Sequence, residues 1–316
     1  MERSYYVIDA FASEPFTGNP AAVVLDADGL DDRQMQSIAA EFNLSETTFV
    51  LTPAAQDADE TPDTNATPDL SARFRWFTPT TEVDMCGHAT VAGMHALVES
   101  GRLRLEDEAD SATVRIETKS GTLTAFLERI PGSATGRMIW VDMIDPTLTP
   151  QRLVKSELAS VLNLPVDAFD SSLATMKTQD RDVLVFVRDF QALNETRPDF
   201  TQLGKLLDRE GLRGLCLATV NTLTPSINVQ SRFFAPTAGV DEDPVTGSVH
   251  GPLAACLVKY GLVEVHDGIA GLTCVQGKAG GRVGLLHALV QPQGEEVYAV
   301  RIGGKAVTIM RGMLLM

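Results

Sequence analysis

The chain has 316 residues, 44% of them apolar, which is enough for two ordinary domains with sizeable cores. Its 42 acidic against 26 basic residues give a formal charge of −16, which repels nucleic acid, and no basic stripe with interleaved aromatics offsets it. No apolar run approaches the roughly 20 residues of a membrane helix, and four scattered cysteines after a polar MERSYY start point to a reducing cytoplasm.

In chain order, residues 5–11 and 21–25 read as strands separated by Phe16-Thr17-Gly18-Asn19-Pro20, where Gly and Pro punctuate. Residues 31–42 carry Met35, Ile38, Ala39 and Phe42 at helical spacing, with Asp31 and Asp32 suited to the N-terminus. A strand resumes at 48–51, which places Glu46 in the connection between helix and strand. Residues 54–70 are acidic and aperiodic and read as an exposed loop. A strand at 74–77 and a helix at 88–100 follow, then strands at 113–117, 123–128 and 138–141.

The second half begins with a helix near 152–162 and strands near 182–187 and 215–220, with a polar, helix-compatible stretch between them. Residues 228–234 lead to a tail of strands at 271–275, 283–290, 296–302 and 306–315, separated by glycine-rich turns. Strand-rich halves with one central helix each predict an α+β architecture. The strand–helix alternation of a dinucleotide fold is missing.

Residues 77–101 recur at 234–261. Aligned at Phe77 and Phe234, the first eight residues share Phe, Pro, Thr, Val and Asp. After three extra residues in the second copy, Gly87 falls on Gly247. Each copy reads as strand end, turn and a helix whose small or polar first residues present backbone N–H groups to a ligand. Two related halves, at about 1–130 and 131–316, with a site in the cleft between them, are the expectation; the C-terminal strand is allowed to join the first half.

Gly277, Gly280, Gly281 and Gly284 fit neither a dinucleotide fingerprint nor a Walker loop, and no Gly-x-Ser-x-Gly elbow occurs. His88 and His95 lack a carboxylate at ligand spacing, so no metal and no cofactor is expected. Three segments hold the candidate chemistry. In Asn43-Leu44-Ser45-Glu46-Thr47 a carboxylate enters an apolar strand, where desolvation would push its pKa up towards neutrality, as suits a proton carrier; a capping or ion-paired glutamate is the alternative. In Met85-Cys86-Gly87-His88 the histidine can donate or accept, and Cys86 would become a thiolate base if the helix N-terminus lowered its pKa; an inert cysteine and a capping histidine are equally open. Asp241-Glu242-Asp243-Pro244-Val245-Thr246-Gly247-Ser248 gathers more acids and hydroxyls at the second helix start than capping needs.

The ordered set Asp9-Ala10-Phe11, Phe16-x-Gly-Asn-Pro-Ala-Ala-Val-Val24, Asn43-x-Ser-Glu-Thr-x-Phe-Val50, Phe77-x-Pro-x-x-Glu82, Cys86-Gly-His-Ala-Thr90, and Phe234-Ala-Pro236 with Glu242-Asp-Pro-x-Thr-Gly-Ser248 resembles the phenazine-biosynthesis PhzF-like family. The resemblance implies the diaminopimelate epimerase-like fold, two pseudo-symmetric domains each with a curled, mostly antiparallel sheet around a central helix. It also implies a cofactor-independent, cytoplasmic, homodimeric isomerase. By the same resemblance Glu46 is the acid/base, and His88, Asp243 and Ser248 surround a small carboxylate-bearing substrate. Asn19, Cys86, Gly87, Thr246 and Gly247 are expected to line that substrate.

Two departures from the family pattern stand out. Cys86 occupies a position where many PhzF-like chains have Ala and two-cysteine epimerases have a catalytic thiol. The second epimerase cysteine falls on Thr246, too weak an acid to replace it. An epimerase or hydroxy-amino-acid dehydratase using Cys86, and a non-catalytic metabolite-binding protein, remain alternatives. Gly281-Arg282 is followed by Val283-Gly284, where the family tends to have Pro-Ser.

Overall fold

A computed structural model describes residues 2–53, 70–105, 109–132, 136–294 and 297–316. The loop expected at 54–70 lies, but for its last residue, outside them.

In chain order the strands and helices are β1 (Glu2–Ala10), β2 (Asn19–Val24), α1 (Asp32–Phe42), β3 (Glu46–Leu51), β4 (Leu70–Phe77), β5 (Glu82–Val83), α2 (Gly87–Glu99), β6 (Ser111–Thr118), β7 (Gly121–Arg129) and β8 (Arg137–Asp142). They continue with β9 (Leu148–Pro150), α3 (Lys155–Leu162), β10 (Met176–Thr178), β11 (Asp182–Phe186), α4 (Phe190–Glu195), α5 (Phe200–Glu210), β12 (Gly214–Thr219) and β13 (Val229–Ala235). The last elements are β14 (Val240–Asp243), α6 (Gly247–Lys259), β15 (Ala270–Gly277), β16 (Val283–Gly294), β17 (Val297–Gly304) and β18 (Ala306–Leu315). The chain divides into two compact units, Met1–Asp142 with Gly303–Met316, and Met143–Ile302.

In the first unit β18 pairs antiparallel with β1, β1 with β2, β3 with β4, β6 with β7 and β7 with β8, while β2–β3 and β4–β6 are parallel. α2 packs against β1, β2, β3, β4, β8 and β18, so the sheet curls around it. Its sequence explains this. Ala89, Val91, Ala92, Gly93, Met94, Ala96 and Leu97 are buried on every side of the helix, as a helix apolar all round must be. Gly93 faces the ring of the fully buried Phe74, where an added Cβ would lie 2.7 Å from Cε2. Gly18, at φ +61°, makes the β1–β2 turn, and a Cβ there would strike the Ala10 carbonyl oxygen. α1 packs Met35 and Ala39 against Phe49 and Phe77, and Asp31 closes it with a capping box to Gln34.

The second unit repeats the pattern strand for strand. β9–β10 and β10–β11 are antiparallel, β11–β12 parallel, β12–β13 and β13–β14 antiparallel, β13–β15 parallel and β15–β16 antiparallel. α6 is the buried counterpart of α2 and lies on β15 and β16. α3, α4 and α5 cover the other face through Leu158, Leu162, Leu193, Leu203, Leu206 and Leu207. The architecture is α+β, as expected. Strands β5, β9, β10 and β14 span only two to four residues, too short for periodicity to show in the sequence.

The repeat is real, but its three extra residues sit elsewhere than the sequence alignment put them. In the first unit Trp76 faces Val83 across β4–β5, and in the second Phe233 faces Asp243 across β13–β14. Val83 therefore matches Asp243, and Glu82 matches Glu242. The insertion lies before Glu242, in the turn where residues Pro236–Ala238 form a single 3₁₀ turn. A pair repeated in both units supports this register: Arg75 Nε donates to Glu82 Oε1 and Arg232 Nε to Glu242 Oε1, each at 2.7 Å. Each guanidinium also stacks on a phenylalanine, Phe77 at 5.1 Å and Phe234 at 5.0 Å.

Candidate active site

The end of the first unit where β3 begins and α2 starts gathers Glu46, Cys86, Gly87 and His88. Glu46 is the first residue of β3 rather than a loop residue, because the parallel pairing with β2 reaches it, setting it opposite Ala21. Asn19, two residues before Ala21, is buried at the start of β2, at the same end of the sheet. Cys86 is the extended N-cap of α2 and makes no side-chain cap, while Thr90 Oγ1 donates to its carbonyl at 2.6 Å.

His88 lies between a carboxylate and a thiol. Its Nε2 is 3.2 Å from Glu46 Oε2 and 3.4 Å from Ser45 Oγ, and its Nδ1 is 3.3 Å from Cys86 Sγ. Burial alone would lower the imidazole pKa. Its partners on the two sides, Cys86 and Glu46, outweigh burial and hold His88 well above its ordinary value. An imidazolium donates from both nitrogens, which matches a partner on each. The close distance to Glu46 is an ion-pair contact rather than an aligned hydrogen bond: Oε2 is buried and has no hydrogen-bond partner of good geometry.

Two expectations are corrected here. Desolvation does push the Glu46 carboxyl up, but the charge of His88 beside it, with Ser45 and Cys86, pulls it further down, so its pKa is lowered rather than raised towards neutrality. The Cys86 thiol goes the other way: burial, reinforced by the Glu46 charge, pushes it up despite His88, so the helix N-terminus does not make it a thiolate. The pattern is a carboxylate, an imidazolium and a thiol.

Glu46, Cys86 and His88 also have ligand types that suit a metal ion and atoms close enough to be considered together. The ring, however, presents a different nitrogen to each partner. One ion cannot take a single imidazole nitrogen, the thiol and the carboxylate without turning the ring, so the arrangement fits a proton network better than a coordination site.

The matching end of the second unit gathers Asp243, Thr246, Gly247 and Ser248. Thr246 Oγ1 donates to Asp243 Oδ2 at 2.5 Å. Gln276, fully buried on β15, ties them together: its Nε2 donates to the Asp243 carbonyl at 2.7 Å and to Thr246 Oγ1 at 3.1 Å, and its Oε1 accepts from the Thr246 N–H at 3.0 Å. His250 Nδ1 lies 2.8 Å from the Thr246 carbonyl and Nε2 3.1 Å from Ser231 Oγ. Burial lowers its pKa to about 4, so it is a neutral brace that donates to the carbonyl and accepts from the serine. Ser248 accepts from Arg213 Nη2 at 3.2 Å.

Sequence reasoning missed Gln276, His250 and Arg213. His250 had a signal, since it holds in α6 the place Thr90 holds in α2, and both bond the carbonyl of the N-cap residue. Gln276 and Arg213 reach the site only through strand pairing.

The sequence matches the family described as phenazine biosynthesis-like protein over residues 8–312. The chain belongs to that family. It is 34% identical over 309 residues to the trans-2,3-dihydro-3-hydroxyanthranilate isomerase of Pseudomonas aeruginosa, covering 98% of each. A PhzF-family phenazine biosynthesis protein of Bacillus anthracis has a similar structure, with a TM-score of 0.84 and 29% identity over 100% of both chains. A hydroxyproline epimerase of Agrobacterium vitis shares the fold at a TM-score of 0.60 and 13% identity over 99% of this chain and 92% of its own. No helix among the described residues is long and apolar enough to cross a membrane.

Proposed function

We propose that this isomerase of the phenazine biosynthesis-like family moves a proton between carbon atoms of a small carboxylate-bearing substrate, with Glu46 as the acid/base. The observation that carries the reading is the Glu46 carboxylate, held ionised by its contact with His88. A base already ionised at neutral pH needs no activation. Its modest strength is offset if charge on the substrate is stabilised as it develops.

In this scheme the Glu46 carboxylate takes a proton from an activated carbon, the electron pair delocalises into the conjugated system, and the resulting carboxylic acid returns the proton at a second carbon. Atoms and charge balance within the one substrate. His88 keeps its proton and holds Glu46 ionised between turnovers. Asp243 and Ser248 orient the substrate, and the N–H groups at Gly87 and Gly247, the first residues of α2 and α6, favour its carboxylate. The relative from Pseudomonas suggests a dihydro-hydroxyanthranilate as the first compound to try.

The test is solvent deuterium incorporation. Wild-type protein should wash deuterium into trans-2,3-dihydro-3-hydroxyanthranilate during turnover, and Glu46→Gln, folded, should lose about 10²–10⁴-fold of that rate. Undiminished exchange in the variant would overturn the role of Glu46. A thiol-based epimerase or dehydratase draws no support from the geometry, because the Cys86 thiol is held protonated.

A further inference from the structure

The two units build the same through-space contact twice, with different chemistry. In the first, the residue before β3 touches the second residue of α2: Ser45 Oγ lies 3.4 Å from His88 Nε2. The parallel pair β11–β12 sets Asp182 opposite Gly214, as β2–β3 sets Ala21 opposite Glu46. Arg213 therefore holds in the second unit the place of Ser45, and Ser248 the place of His88. Arg213 makes the same reach, its Nη2 donating to Ser248 Oγ at 3.2 Å.

Arg213 is not a loose cation waiting for a substrate anion. Its Nε donates to Asp182 Oδ1 at 2.9 Å and its Nη2 to Oδ2 at 2.5 Å, and the Asp182 side chain is 1% exposed. Burial would lower the guanidinium pKa, but Asp182, with Asp180 and Asp243 nearby, more than compensates and raises it. The ring of Phe233 lies 6.0 Å from its Cζ and flanks the group. What this clamp leaves is direction. A guanidinium has donors and no acceptor, so towards Ser248 it can only donate. Its N–H takes a lone pair of Oγ, and the hydroxyl proton must point elsewhere.

We infer that Arg213 is a positioning residue that fixes Ser248 as a hydrogen-bond donor towards the negative charge developing on the substrate. The inference rests on the role proposed above for Ser248. Asp182 is the anchor: buried and bidentate, it sets the guanidinium plane, and a lysine could not hold both Asp182 oxygens and reach Ser248 from one point charge.

The experiment uses the full-length chain with trans-2,3-dihydro-3-hydroxyanthranilate in deuterated buffer. Arg213→Met should lower kcat by about 10–100-fold, the range of residues that orient a reacting group from behind, with KM little changed. Because Arg213 acts only through the serine, Arg213→Met combined with Ser248→Ala should be no slower than Ser248→Ala alone. Losses that multiply, or a change confined to KM, overturn the inference. Arg213→Met leaves a buried carboxylate unpaired, so Asp182→Asn with Arg213→Met tests the same point in a chain without that burden and should show the same fall in kcat. A crystal structure of this double variant decides independently of catalysis: Ser248 should populate more than one rotamer, and an unchanged single rotamer overturns the inference. If wild-type protein does not turn over the compound, or Glu46→Gln is as fast as wild type, the reading of the site fails instead, while the Ser248 rotamer still answers the question about Arg213.

Discussion

Oε2 of Glu46 lies 3.2 Å from Nε2 of His88, and this contact favours the charged form of both groups. Each is buried enough that alone it would favour its neutral form. Together they settle as carboxylate and imidazolium.

The pair fixes the pH dependence. For kcat/KM the acid limb follows Glu46, whose pKa lies below its ordinary value. His88→Asn removes the charge that does most to hold it down and leaves Ser45 and Cys86 against burial, which raises it. The acid limb should then move to higher pH, measured as deuterium exchange rate between about pH 4 and 8, a window bracketing the ordinary Glu and His values. An unmoved limb would show that His88 does not control Glu46.

Stability should respond with the opposite sign at the other end. His88 has a folded-state pKa above its unfolded value of about 6.5, so its stabilising effect is complete below that pH and is lost as pH rises through the folded pKa. Urea midpoints of wild type should fall towards those of His88→Asn as pH rises above about 6.5. A constant gap would deny the linkage.

Cys86→Ala should retain activity within about tenfold, since losing a true base costs about 10²–10⁴-fold. The thiol is protonated and serves His88 as a neighbour, not the substrate as a base. A hundredfold loss with normal folding would restore the thiol mechanism.

Gly93→Ala sets two effects against each other. In a helix the change gains about 0.5–1 kcal/mol of intrinsic stability. Here the new methyl lies 2.7 Å from the ring of Phe74, which is fully buried and cannot retreat, and overpacking of this kind costs about 1–3 kcal/mol. Packing should win, giving a net loss of about 1 kcal/mol in denaturant unfolding.

Arg232→Met and Arg75→Met probe the same pair in two settings. The Arg232 side chain is 2% exposed and also donates to the carbonyls of Leu193 and Thr196. Breaking it should cost about 3 kcal/mol or more, because Glu242 and the Leu193 carbonyl lose a buried guanidinium, and the Thr196 carbonyl keeps only its bond from Arg197 Nη1 among the described residues. Arg75 is 18% exposed and shares its charge with the mostly exposed Asp32, so about 1 kcal/mol is expected. Chemical denaturation of the two variants measures the difference.

Much of the site was legible because its residues lie in turns with strong local signals. Glycine before a helix, a hydroxyl or thiol at an N-cap and a glutamate entering a strand are visible without any partner. Pairwise effects were not. From Glu46 alone the expectation was a raised pKa, and the direction reversed only when His88, 42 residues later, came within 3.2 Å. The insertion in the repeat was misplaced for a similar reason: letter identity favoured matching Val83 and Asp84 with Val240 and Asp241, whereas backbone pairing matches Val83 with Asp243.

The sequence by itself determined that there are two related halves, that each has one buried central helix, and which residues stand at the two helix starts. Periodicity, glycine placement and the internal repeat are local properties, so they survive without coordinates. The tertiary structure alone decided which of those residues are charged and which are braced. Strand register carries Arg213 to Ser248 and Gln276 to Thr246, and burial turns His250 neutral while the carboxylate beside it keeps His88 charged. Charge state depends on desolvation and on neighbours distant in sequence, and neither is written in any single stretch of chain.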